Sequence, residues 1–153
     1  MATELTYYIR EGLLVGYAGG GFIHVLAGAG GGAGSKVRRA SWTANNPYAT
    51  GVKTSGKAHS KSHKHGGPLP LGKYKIHPST QHKRLGRSCF LEPDSRNYMG
   101  NRSDFFIHGR GRHGSDGCIV PFEKLGFLLD QIDKDKGGTL HVVETMDQDV
   151  RFA

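Results

Sequence analysis

Residues 105–121 read Phe105-Phe106-Ile107-His108-Gly109-Arg110-Gly111-Arg112-His113-Gly114-Ser115-Asp116-Gly117-Cys118-Ile119-Val120-Pro121. Two apolar runs enclose a polar, glycine-rich loop, so one strand ends at His108 and another begins near Cys118. Glycine tolerates positive φ, and Gly109, Gly111, Gly114 and Gly117 would let the loop fold back tightly and set His108 beside Cys118. A thiol beside an imidazole is the usual way to obtain a thiolate near neutral pH. Pro121 suits the first turn of a helix that carries Phe122, Leu125, Leu128, Leu129 and Ile132 on one stripe and stops before Gly137-Gly138. Such a helix would bring the positive end of its dipole close to Cys118. The Gly117 and Cys118 amides are candidates for an oxyanion hole, because glycine lets a carbonyl approach closely.

Outside this stretch the signals are mostly those of strands. Tyr7-Tyr8-Ile9 and Leu13-Leu14-Val15 flank Arg10-Glu11-Gly12 and read as a hairpin. Phe22 to Ala27 is a third apolar run, and Lys73-Tyr74-Lys75-Ile76 alternates two lysines with two core residues. Cys89-Phe90-Leu91, Phe105-Phe106-Ile107 and Thr139-Leu140-His141-Val142-Val143 complete at least six strands beside the one helix. The fold class is mostly β, a β-rich α+β domain. Residues 28–68 are rich in Gly, Ser, Lys and His, with few apolar residues, and read as a long basic loop region that is mobile near an active surface.

The 153 residues make one domain, 1–153, long enough to hide roughly two thirds of its unfolded surface without metal or disulfide staples. The 24 glycines argue for many tight turns and against a helical bundle. The formal net charge is +8, and it is unevenly placed: residues 12–91 hold twelve Lys or Arg and no Asp or Glu. That field draws polyanions without choosing among them, an anionic cell envelope included. Its expected use is attraction, with catalysis left to the near-neutral C-terminal portion. No apolar run approaches the length of a membrane span. The N-terminal residues carry no classical secretory signal, so the protein either works in the cytosol or leaves it by another route.

The residues around His108 and Cys118 resemble the L,D-transpeptidases of the YkuD type. Ile107-His108-Gly109 followed by Ser115-Asp116-Gly117-Cys118-Ile119 matches the family signature in residue type and order, and Pro70-Leu71-Gly72-Lys73-Tyr74 matches a second family turn. The ten-residue His-to-Cys spacing, with Gly67-Pro68-Leu69-Pro70 and Asn45-Asn46-Pro47 upstream, is most similar to the toxins of this family delivered by type VI secretion. The resemblance runs from about Thr6 to Val143, loosely in the loops and tightly from His108 to Ile119.

It implies a small β-sandwich or barrel with one main helix after the nucleophile, and chemistry on peptidoglycan stem peptides. Cys118 would attack the carbonyl of meso-diaminopimelate in a tetrapeptide stem, with His108 as base and then acid, and Gly117 and Ser115 completing the catalytic motif. Hydrolysis of the thioester gives L,D-carboxypeptidase activity; an amine acceptor gives exchange or cross-linking. The family pattern has His where Asp116 stands and Arg or Asn where Val120 stands. Arg110, Arg112, His113 and Asp116 are therefore the candidates to hold substrate, Arg being suited to a carboxylate. No cofactor or metal is implied. The implied setting is an enzyme made in the cytoplasm without a Sec signal and acting as a monomer in the periplasm of a target bacterium. An immunity protein and a component of the secretion apparatus are the implied partners.

Other readings compete with these. A lone Cys is most often a buried apolar residue, which is the reading for Cys89; Cys118 is expected to be free, since a bridge between them would abolish the chemistry. His59, His63 and His65 have a spacing compatible with a metal, yet the interleaved Lys57, Lys61 and Lys64 suit a solvated basic loop. A metal-dependent hydrolase built on the His/Cys cluster lacks any supporting ligand motif. The Gly28 to Gly34 run lacks P-loop spacing and reads as a flexible loop. A basic nucleic-acid-binding protein would use Trp42 and the tyrosines, but these are sparse and no recognition module is visible, so no nucleic-acid partner is expected. In a papain-like peptidase the Cys would precede the His, and only His141 follows Cys118, in a core-like strand.

Overall fold

The computed structural model describes residues 2–52 and 66–149. Nine strands form in chain order: β1 (Thr3–Tyr8), β2 (Leu13–Ala18), β3 (Gly21–Ala29), β4 (Gly72–Ile76), β5 (Thr80–His82), β6 (Gly86–Pro93), β7 (Phe105–Ile107), β8 (Ile119–Pro121) and β9 (Gly138–Val143). One helix, α1 (Leu125–Lys134), and two short 3₁₀ turns, Pro47–Ala49 and Met146–Gln148, complete the set. Eight strands close a barrel in the order β4-β9-β1-β2-β3-β8-β7-β6, with β6 returning to β4. Strand β5 continues the β4 edge along β6: Ile76 faces Leu91, His77 N–H donates to Phe90 O, and Thr80 faces Ser88, one residue out of step. Most neighbours are antiparallel, but β1 with β9 and β7 with β8 run parallel. None of the described helices is long and apolar enough to cross a membrane.

Alternation along the strands fills the barrel. Leu5 and Tyr7 of β1, Leu14 of β2, Ile23, Val25 and Ala27 of β3, Tyr74 and Ile76 of β4, and Cys89 and Leu91 of β6 point into one core. Phe105 and Ile107 of β7, Ile119 of β8, and Leu140 and Val142 of β9 join them. Tyr7 is admitted because its hydroxyl is satisfied, donating to Ala27 O at 2.8 Å and accepting from Asn45 Nδ2 at 2.7 Å. Burial keeps its phenol protonated. The Tyr74 hydroxyl donates to Pro70 O at 2.7 Å, which ties the two ends of the Pro70–Tyr74 turn together.

Helix α1 begins four residues later than the sequence suggests. Pro121 ends β8 instead, because Ala27 of β3 takes it as a strand partner, and Lys124 at φ 59° turns the chain into the helix. Leu128, Leu129 and Ile132 enter the barrel core. The helix closes the barrel end at which β1 and β9 begin and β2 ends. Asp135 Oδ2 accepts from Thr3 Oγ1 at 2.9 Å and Gly19 N at 2.7 Å. Asp133 accepts from Ser79 and from Arg87, whose guanidinium also meets Asp130 at 2.7 Å.

The described part of residues 28–68 is less a surface loop than the composition suggests. Gly28 and Ala29 belong to β3, and Gly30 to Ala33, Thr43 and Ala49 are buried. Asn45 staples the segment to the barrel, accepting from Ala29 N and donating to Tyr7 Oη and Ile9 O. His59, His63 and His65 lie outside the described residues.

Candidate active site

Parallel pairing of β7 with β8 matches Ile107 to Ile119, and both side chains are wholly buried in the core. Alternation then turns Phe106, His108 and Cys118 to the outer face of the barrel. The connection between the strands is a crossover, not the tight fold-back read from its glycines, because parallel strands start at the same end and need a longer return. Only Gly114, at φ 72°, and Gly117, at φ 142°, adopt positive φ; Gly109 and Gly111 do not. A Cβ on Gly114 would strike the Gly32 carbonyl oxygen, and one on Gly117 would strike Arg102 and Phe105.

The crossover is clamped between two other segments. Gly32 N–H donates to Ser115 O and Ser115 N–H to Ala33 O, both at 2.9 Å, while Lys36 N–H donates to Gly111 O at 2.9 Å. On its other side Leu69 N–H donates to Gly117 O at 3.1 Å. Ser115 is the internal brace: its buried hydroxyl accepts from Gly30 N and Gly117 N and donates to Cys118 O. Ser115 and Gly117 thus shape the turn behind Cys118 and do not line the cavity. The Gly117 N–H is committed to Ser115, whereas the Cys118 N–H donates to no carbonyl among the described residues.

A cavity of about 590 Å³ opens over this face. Its lining includes His108 and Cys118 together with Arg110, Arg112, His113 and Asp116, so every substrate-holding candidate read from the sequence reaches it. His108 is buried, and its Nδ1–H donates to Gly109 O at 2.8 Å, leaving Nε2 as the nitrogen able to take a proton. Burial holds the imidazole below its ordinary value, with the nearby His82 adding to the effect. The half-buried Cys118 sulfur accepts from Phe106 N at 3.3 Å and faces Asp104 O at 3.8 Å. No hydrogen bond joins Sγ to His108, and the two side chains line one cavity.

The resting thiol is neutral. Burial pushes Cys118 up to about 12, against the weaker pull of the Phe106 amide. The helix dipole expected beside Cys118 is placed elsewhere, because the helix starts at Leu125 with β8 between it and Cys118. The arrangement suits proton transfer during attack, with a neutral imidazole as base. Cys89 is a core residue, and neither cysteine is bridged.

Four residues here escaped the sequence reading. Arg102, partly buried, donates to Pro68 O at 3.0 Å, Gly67 O at 2.9 Å and Asp116 O at 2.5 Å, and its guanidinium lies 5.0 Å over the Phe105 ring. It ties the turn before Cys118 to residues 67–68, and no local pattern marks it. His82 and Arg84 come from the β5–β6 turn, and Asp104 from the approach to β7. The Lys83-Arg84-Leu85-Gly86 turn signal was readable as a hairpin, but not its place at the site. The cationic half of the chain therefore builds part of the site as well as flanking it.

Among the described residues no group of three His, Cys, Asp or Glu side chains is arranged to hold a metal ion. No protein-family model, curated protein or solved structure matches the chain.

Proposed function

We propose that the protein is a cysteine acyltransferase of the L,D-transpeptidase kind that acts on peptidoglycan stem peptides. The observation that carries the reading is the shared cavity: Cys118 and a neutral His108, with its Nδ1 committed to Gly109 O, face it from adjacent parallel strands beside Arg110 and Arg112. The motif resemblance around His108 to Ile119 supplies the substrate class.

In the proposed reaction His108 Nε2 takes the Sγ proton as the sulfur attacks the carbonyl of the third stem residue, meso-diaminopimelate. The S–C bond forms, and the carbonyl oxygen becomes an oxyanion that the Cys118 N–H meets. The C–N bond to D-alanine then breaks as His108 returns the proton to the leaving amine. Water attacking the thioester releases a tripeptide, which is L,D-carboxypeptidase action. A D-amino acid or a second stem gives exchange or cross-linking in its place. Arg110 and Arg112 meet the terminal carboxylate of the donor. The setting that fits the type VI resemblance is an antibacterial toxin acting in the periplasm of another cell, countered by an immunity protein.

Purified tetrapeptide muropeptides incubated with the protein should lose D-alanine or exchange it, followed by mass. Unchanged tetrapeptide with and without D-amino acid acceptors rejects the reading.

A further inference from the structure

The substrate-holding groups legible in the sequence all lie in the β7–β8 crossover, but the cavity is lined from a second element. In the β5–β6 turn His82 Nδ1 accepts from the amides of Arg84 and Leu85, both at 3.1 Å. That fixes the turn and leaves the proton of a neutral His82 on Nε2, as a donor. The His82 ring meets the Phe106 ring edge-on, centroids 5.1 Å apart, and Phe106 N–H is the donor to Cys118 Sγ. One residue thus positions both the imidazole and the thiol. Arg84 leaves the same turn, exposed, and lines the cavity. The cavity contains three arginines, Arg84, Arg110 and Arg112, against two carboxylates, Asp104 and Asp116. Among the described residues none of the three arginines is in an ion pair.

From this arrangement we infer that His82 and Arg84 bind a second carboxylate of the acyl donor, apart from the terminal one met by Arg110 and Arg112. The site then selects dicarboxylate donors whose side-chain acid is free over those in which it is amidated. The inference rests on Cys118 being the nucleophile. A guanidinium and an N–H donor lining the same cavity match the two oxygens of a carboxylate, and an amide offers only one acceptor and no charge.

Two measurements test it. The first compares alkylation of Cys118 by iodoacetate and by iodoacetamide, mapped by mass, in the wild type, in Arg84→Gln and in Arg96→Gln. The last removes the same charge from a side chain paired with Asp94 on the surface. Arg84→Gln should slow iodoacetate about tenfold, the size of one charge-assisted hydrogen bond, and leave iodoacetamide unchanged. Arg96→Gln should change neither rate. Equal slowing of both reagents by Arg84→Gln, or no slowing of either, overturns the inference while leaving Cys118 as nucleophile. Loss of D-alanine from tetrapeptide that survives in Cys118→Ala overturns both. The second compares tetrapeptides whose third residue has a free or an amidated side-chain acid. The wild type should favour the free acid, and Arg84→Gln should erase the preference by losing only the free-acid rate. Equal kcat/KM for the two donors in the wild type overturns the inference.

Discussion

At the scale of single residues, the site pairs two neutral groups, and its pH behaviour follows. Burial disfavours the charged form of His108, so its base form persists below the ordinary value of about 6.5. The acid limb of kcat/KM should therefore fall below pH 6.5. Because Cys118 is pushed up to about 12, ionisation of the thiol should add no second rise between pH 7 and 9. A limb at or above pH 7 measured on tetrapeptide would contradict the neutral pair. The lowered His108 value also links to stability: the unfolded chain takes the proton first, so stability is full above about pH 6.5 and is lost as pH falls from there. Cys118→Ala should abolish turnover with the fold intact, and His108→Ala should cost about 10²–10⁴-fold, the usual share of a general base. Turnover by either variant at the wild-type rate would reject the roles given to them. Ser115→Ala should act differently, since it removes a hydroxyl with three hydrogen bonds behind the turn. A loss of about 1–3 kcal/mol in denaturant unfolding should accompany its fall in activity.

At the scale of elements, the turn that carries Cys118 is held by neighbours remote in sequence, from Gly30 to Lys36 and from Gly67 to Leu69. Gly114→Ala tests that packing. The new methyl would collide with the Gly32 carbonyl at a residue already at φ 72°, so the clamp must open. A loss of several kcal/mol should appear in urea unfolding, larger than the roughly 1 kcal/mol that a glycine-to-alanine change gains where the backbone permits it. Tyr74→Phe should cost about 1 kcal/mol by freeing Pro70 O, a hydrogen bond that holds the entry to β4.

At the scale of the whole molecule, the barrel depends on joining the two ends of the chain. Strand β9 lies between β1 and β4, parallel to the first and antiparallel to the second, so it is the stave that closes the ring. Removing residues 138–153 would expose two strand edges and the core side chains of Leu140 and Val142. The truncated chain should show no cooperative thermal transition by circular dichroism, whereas a closed and independent remainder would retain one. The charge of +8 acts at this scale as well. Part of it is built into the cavity through Arg84, so the basic half supplies part of the cavity lining.

The sequence by itself determined most of the strands and the inward pair Tyr74 and Ile76 of β4, and it singled out His108 and Cys118 as candidates. Those follow from alternation and from local residue chemistry, as in Lys73 to Ile76, where each residue's face is fixed by its neighbours two places away. It did not determine where α1 begins, because Pro121 suits a first turn and a strand end equally, and only the partner strand β3 decides between them. It did not reveal that β7 and β8 are parallel, nor that Gly117 N–H is spent on Ser115. Nor could it place Arg102, His82 and Arg84, whose roles depend on carbonyls and cavity walls brought near by barrel closure. Pairings between distant segments carry no local pattern, so the tertiary structure alone decided what surrounds the thiol.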